Sequence, residues 1–214
     1  MEIARVNIFP SNDGGIAAYA SITIGNCFVI HGLVLRISKT GGYSLHMPQR
    51  KRANGMHVDR VLPLDNETRR MIEEKVFEAY REFVHLVGDL HLPLHVGFLD
   101  DLGGTKTKVT FQGKVQTLPE LWDTGMLETE TGTARAMAKL LDEECDPKDR
   151  VAWQAGTPTD WANESLALMI EYVYPLPESH EINEEYVQRA MPVLHRRLVQ
   201  AGVRLAWLLN DALK

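Results

Sequence analysis

The chain has 214 residues, 44% of them hydrophobic and 24% charged, with a formal net charge of −6. No apolar run approaches the roughly 20 residues that a membrane helix needs. Cys27 and Cys145 lie far apart without CxxC spacing, so neither a disulfide framework nor a cysteine zinc site is indicated.

The charge is uneven. Residues 1–83 carry 11 Lys/Arg against 9 Asp/Glu, a balance of +2, whereas residues 84–214 carry 12 against 20, a balance of −8. Two segments with different partners are implied, and neither is basic enough for charge alone to indicate nucleic acid. Met1–Arg5 opens directly into an alternating pattern, so no signal peptide is expected and reduced cysteines in a cytoplasm are the default.

Strands are predicted first. Ile3–Phe9 alternates apolar and polar residues and ends in the turn cluster 10–15. Ala18–Ile24, Phe28–Ile37 and Tyr43–Met47 follow, with Gly25-Asn26 as a two-residue hairpin turn and Gly41-Gly42 as the next turn. Gln49–Gly55 reads as a basic loop, and Val58–Leu64 as an edge strand limited by Pro63. The period then changes. Asn66 or Thr68 is expected to cap a helix with Met71, Ile72, Val76, Phe77, Tyr80, Phe83 and Val84 as its apolar residues, ended or kinked at Pro93. No polar linker interrupts it, so the two segments are expected to join through a helix. Beyond it come a short strand pair around Gly113 and helices over 131–144, 161–174 and 184–213. The expected class is α+β: a small antiparallel sheet with a helix over residues 1–83, then a mostly helical lobe over 84–214.

Residues 1–83 resemble the SpoVG (stage V sporulation, septation) family. The match runs through Ala18–Ile24, Phe28–His31, Met47–Lys51, Pro63–Arg69 and Val76–Tyr80, in order and at the family's spacing. It implies a sheet packed on a helix, a homodimer, and DNA or RNA binding in a bacterial cytoplasm. The candidate nucleic-acid contacts are Arg50, Lys51 and Arg52, grouped on the basic loop, and Arg69 and Arg70 at the start of the helix, since such clusters meet phosphates. No aromatic stacking platform is visible in the sequence.

The sharpest chemical motif is His85-Leu-Val-Gly-Asp89-Leu-His91-Leu-Pro-Leu-His95. His85 and Asp89 share a helix face one turn apart, a spacing suited to two ligands on one cation. His95 follows Pro93, where the chain can turn back, and Trp122-Asp123 offers another carboxylate. His91, two positions from Asp89, points to another face. Imidazole and carboxylate are the usual ligands of catalytic zinc.

Residues 76–214 resemble the zinc-dependent S1/P1 single-strand nucleases. The similarity carries on through Trp161, Glu164-Ser165, Tyr172–Tyr174, Tyr186, Ala190–Val193 and Ala201–Ala206. The resemblance implies one or more zinc ions, with His85, Asp89, His95 and Asp123 as ligands and Asp89 as the bridging, catalytic carboxylate. Three positions depart from the family pattern: Leu92 stands for its Gln, Thr105 for the Asn that helps hold substrate, and Pro119 for a zinc-binding His. The SpoVG-like segment occupies the place of the family's first half, which carries further ligands. Three readings stand open: a nucleic-acid-binding protein with an incomplete nuclease lobe, a zinc phosphodiesterase acting on single-stranded DNA or RNA, and an inactive recombined or designed fusion.

Overall fold

The computed structural model describes residues 2–11, 15–38, 42–53 and 55–211. Residues 12–14 of the expected turn, the first glycine of the 41–42 turn, Asn54 of the basic loop and the expected helical residues 212 and 213 lie outside the described residues. The chain forms two compact units, Met1–His85 with Leu205–Lys214, and Leu86–Arg204.

In the first unit, β1 (Ile3–Pro10), β2 (Ile16–Ile24), β3 (Phe28–Ile37) and β4 (Tyr43–His46) form an antiparallel sheet in that order. Strand alternation sends Val6, Ile8, Ala18, Ala20, Ile22, Leu33, Leu35 and Leu45 to one face, where Ile72, Val76 and Tyr80 of helix α1 (Asn66–His91) pack on them. Burial of those three helix side chains contributes roughly 2 kcal/mol each. The turn between β2 and β3 is three residues, Gly25–Cys27, one longer than the sequence suggests, with Gly25 at φ 51°.

The expected basic loop is instead half of a hairpin. β5 (Gln49–Lys51) pairs with β6 (His57–Asp59) through Arg50↔Val58 and Lys51↔His57. Three polar residues in a row have no apolar period, so this strand leaves no trace in hydrophobic pattern. The helix cap also differs. Asp65 accepts from the Thr68 backbone N–H at 2.6 Å and from Thr68 Oγ1 at 2.9 Å, one residue ahead of the expected Asn66.

In the second unit, α1 ends at His91 and Pro93 opens a 3₁₀ turn, Pro93–Val96. The hairpin β7 (Lys108–Phe111) and β8 (Lys114–Thr117) leads into α2 (Leu118–Glu120), whose Thr117 and Glu120 form a reciprocal capping box. A π turn, Leu121–Gly125, follows directly. Next come α3 (Ala134–Glu144), α4 (Pro147–Trp153), α5 (Pro158–Leu168) with a second π turn at Met169–Val173, and α6 (Glu184–Asp211), which stays in this unit as far as Arg204. The core gathers Leu94, Val109, Leu118, Leu121, Trp122, Met126, Met169, Tyr186, Ala190 and Leu194. Among the described residues, no helix is long and apolar enough to cross a membrane.

Candidate functional site

Two glycines shape the turn that carries His95. A Cβ on Gly97 would lie 2.8 Å from the Leu94 carbonyl oxygen, and one on Gly103, at φ 63°, would lie 2.7 Å from the same atom. The loop therefore closes tightly around Leu94, and the glycine requirement at 103 is steric as well as conformational. Leu94 is buried beneath, while His95 is exposed.

Asp123 is placed from the other side. Its neighbour Trp122 is fully buried and donates from Nε1 to Tyr186 Oη at 2.9 Å, and Tyr186 Oη donates to the Val173 carbonyl at 2.9 Å. Burial pushes the Tyr186 phenol up to about 12, so it remains a neutral donor. The π turn adds a residue to the winding here, and such turns recur at functional sites because they re-aim a side chain. Trp122 thus points inward and Asp123 outward.

These elements bring together three of the four expected metal ligands. His95 Nδ1 lies 3.0 Å from Asp89 Oδ1, and His95 Nε2 lies 3.7 Å from Asp123 Oδ2. All three side chains are about one-third exposed, at 32%, 32% and 38%. Burial pushes the Asp123 carboxyl above its usual value, with the Asp89 charge adding to it and His95 opposing it. His85 stands one helical turn ahead of Asp89 on α1 and is exposed. One imidazole and two carboxylates are a donor set that suits zinc. As arranged, however, the ring stands between the carboxylates, and among the described residues no group of three or more His, Cys, Asp or Glu side chains is placed to hold a metal ion.

The departures noted in the sequence have clear structural settings. Pro119 sits in the single turn of α2, close to Gly104, where it offers no ligand atom. Thr105 is exposed and bonds back to the Leu102 carbonyl at 2.8 Å. Leu92 packs partly buried against the core.

His91 is turned into the core, away from solvent. Its Nδ1 donates to the Val87 carbonyl at 2.7 Å and its Nε2 accepts from Arg204 Nη1 at 3.0 Å. Burial pulls its pKa down to about 4, so it is neutral. It belongs to a buried polar network that the sequence did not reveal. Arg197 and Arg204, each 1% exposed, share Glu164 at 2.6–2.8 Å. Arg197 also donates to Ser165 Oγ and to the carbonyls of Trp161 and His91. Ser165 donates to the Leu90 carbonyl at 2.6 Å. The network satisfies last-turn carbonyls of α1 directly beside Asp89, which steadies that carboxylate.

In the first unit, Arg50, Lys51 and Arg52 are all exposed along β5 and the residue after it. Arg70 is exposed, whereas Arg69 is paired with Glu73 at 3.2 Å on its own helix.

Comparison with known proteins matches residues 58–214 to the S1/P1 nuclease model and residues 1–82 to the SpoVG model. The chain belongs to the S1/P1 nuclease family, with a SpoVG segment at its front. Endonuclease 3 of Arabidopsis thaliana is 28% identical over 170 residues, covering 72% of this chain and 58% of that protein. Nuclease S1 of Aspergillus oryzae is 29% identical over 178 residues, 69% of this chain and 60% of its own length. A SpoVG-type septation protein of Bdellovibrio bacteriovorus is 42% identical over 89 residues, 42% of this chain and 82% of that protein. The chain therefore spans less than two thirds of the S1/P1 relatives it matches. Within that S1/P1 segment lie Asp89, His95 and Asp123, as well as Pro119.

Proposed function

We propose that this chain is a nucleic-acid-binding protein whose SpoVG segment carries the binding and whose S1/P1 segment has lost efficient turnover. The observation that carries this reading is Pro119, a residue without a ligand atom at a position where the S1/P1 pattern has a zinc-binding His; in the other unit the exposed Arg50, Lys51 and Arg52 offer phosphate-contacting chemistry. Arg70 adds a further exposed cation, and Arg69 joins it once released from Glu73.

The Asp89–His95–Asp123 cluster supports a second reading, hydrolysis of single-stranded DNA or RNA. With His85 as the fourth ligand, these residues would hold zinc, which supplies Lewis acidity toward a phosphodiester and a water that ionises near neutral pH. The chain's own contribution is positional. Asp89 lies against His95 Nδ1 and fixes the ring, Trp122 and Tyr186 anchor Asp123, and the network around Arg197 holds the end of α1.

The test is binding of a fluorescently labelled single-stranded oligonucleotide by anisotropy across a salt series, with gel analysis of the same oligonucleotide incubated with added zinc. Binding that weakens in an Arg50→Ala, Lys51→Ala, Arg52→Ala variant, with a salt slope smaller by about 2 for three lost contacts and substrate left intact, is the expected result. Zinc-dependent cleavage abolished by Asp89→Ala would establish the second reading in its place. Absence of binding by the wild-type chain would refute the first.

A further inference from the structure

The sheet of the first unit has a second face. Strand register sets Phe9 opposite Tyr19, Tyr19 opposite Val34, and Val34 opposite His46, so these four side chains form one row across all four strands. With neighbouring strands about 4.8 Å apart, the row is roughly 14 Å long. It lies on the face away from α1, because the alternating neighbours Ile8, Ala18, Leu33, Leu35 and Leu45 form the core on the other side. Phe9 is 41% exposed, and His46 is exposed as well.

The charge on these strands is one-sided. None of β1 to β4 contains an Asp or a Glu, while Arg5 and Arg36 are both exposed. Arg5 pairs in register with Thr23, and Arg36 with Ser44, which places both cations on the same outward face as the aromatic row. Beside His46 the surface sinks into a depression of about 420 Å³ lined by Gly32, Val34, Arg36, His46, Met47 and Gln49. Its volume falls within the range of small-ligand sites, about 300–1,000 Å³. Gln49 Nε2 donates to Asp59 at 2.8 Å, which fixes the amide and leaves its oxygen as an acceptor at the rim.

We infer that this face is a platform for single-stranded nucleic acid, on which bases stack against Phe9, Tyr19 and His46 and phosphates pair with Arg5 and Arg36. The inference rests on the nucleic-acid reading above and adds a location to it. Flat rings spaced along strands that carry two exposed arginines and no acidic residue suit a strand whose bases are unpaired, since every base offers a stacking face regardless of sequence. A duplex hides those faces and meets only the two arginines. The depression next to His46 takes the last base of the row, with Arg36 at its edge for the adjoining phosphate.

The experiment uses the full chain and fluorescein-labelled oligothymidylate and oligouridylate, with a duplex of equal length as comparison. Phe9→Ala and His46→Ala each weaken single-strand binding by about fivefold or more with an unchanged salt slope, because a stack is lost and no ion is released. Arg36→Ala lowers the slope by about 0.7. His46→Tyr, which keeps a ring, binds like the wild type. If Phe9→Ala fails to fold by far-ultraviolet circular dichroism, Phe9→Leu replaces it, keeping the apolar contact and removing the ring. Wild-type affinity in the ring variants, with loss confined to the Arg50, Lys51 and Arg52 variant, overturns the platform and leaves the binding function standing. No single-strand binding by the wild type overturns both. A concentration-dependent dimer in light scattering that Phe9→Ala dissociates overturns it too, by assigning the face to a second copy.

Discussion

Replacing Glu164 by Gln isolates the electrostatics of the second unit in one atom. The carboxylate accepts from Arg197 Nη1 at 2.8 Å, from Arg204 Nη1 at 2.6 Å and from Arg204 Nη2 at 2.7 Å. Both guanidiniums are 1% exposed, so in the variant two cations stay buried with no anion beside them. Removing one partner of a buried pair costs about 3–5 kcal/mol, and the low end applies because the Glu164 side chain is 41% exposed and water can enter where the carboxylate was. Urea unfolding reads this. With an m-value of about 2 kcal/mol per molar, a loss of about 3 kcal/mol lowers the midpoint by about 1.5 M. The acid limb gives a second readout. Burial works to raise the Glu164 carboxyl, but its bonds to Arg204 and Arg197 outweigh that and hold it below the usual value of 4.5. A depressed carboxyl contributes stability that is fully present above its unfolded pKa and is lost as pH falls through the folded one. The wild type therefore loses this contribution below about pH 4.5, and the variant, already lacking it, shows a shallower acid limb. A midpoint shift below about 0.5 M, or an unchanged acid limb, would refute the assignment of Glu164 as the counter-ion of both arginines.

Tyr186→Phe leaves Trp122 Nε1 and the Val173 carbonyl without their buried partner and costs about 1–3 kcal/mol, seen as a lower thermal midpoint; an unchanged midpoint would show that the hydroxyl is dispensable. Gly103→Ala drives a methyl to 2.7 Å from the Leu94 carbonyl and costs about 2 kcal/mol or more in urea unfolding, whereas Gly113→Ala, with nothing within 4 Å of its Cβ but a φ of 77°, costs about 1 kcal/mol; equal losses would remove the steric argument. Pro119→His supplies the ligand type that the S1/P1 pattern has at this position, and elemental analysis after zinc loading is expected to give more metal per chain than the wild type, with the gain lost again on adding His95→Ala. No gain would show that the main-chain setting of α2 does not aim position 119 at the cluster.

Elements with strong periodicity were legible in advance. The alternation in Ile3–Phe9 and Ala18–Ile24 marks β1 and β2, and the spacing of Ile72, Val76 and Tyr80 marks α1, because burial on one face writes itself into the order of apolar residues. β5 stayed hidden because Gln49-Arg50-Lys51 has no apolar member and is held by backbone pairing to β6. The buried polar side of α6 is hidden from the sequence for a related reason. Apolar counting selects Leu198, which is 41% exposed, and passes over Arg197, Gln200 and Arg204, which the fold buries because Glu164, Ser165 and last-turn carbonyls of α1 satisfy their donors. The row of Phe9, Tyr19 and His46 is hidden from the sequence for the same reason. Phe9, Tyr19 and His46 are scattered along the chain, and only the inter-strand register aligns them. The proximity of Asp89, His95 and Asp123 was legible as a resemblance, while the placement of the imidazole between the two carboxylates depends on side-chain geometry that spacing does not encode.

The π turn at Leu121–Gly125 makes chain length a functional variable. A π turn is helical winding with one residue too many for the ordinary repeat, and each helical residue rotates the chain by about 100°. Deleting a single residue from these five restores ordinary winding, and either Trp122 swings out of its pocket beneath Tyr186 or Asp123 swings away from His95. Substitutions in this stretch alter one contact at a time, but a change of length uncouples the anchor from the carboxylate it aims. The segment is therefore expected to accept changes of residue far more readily than insertions or deletions.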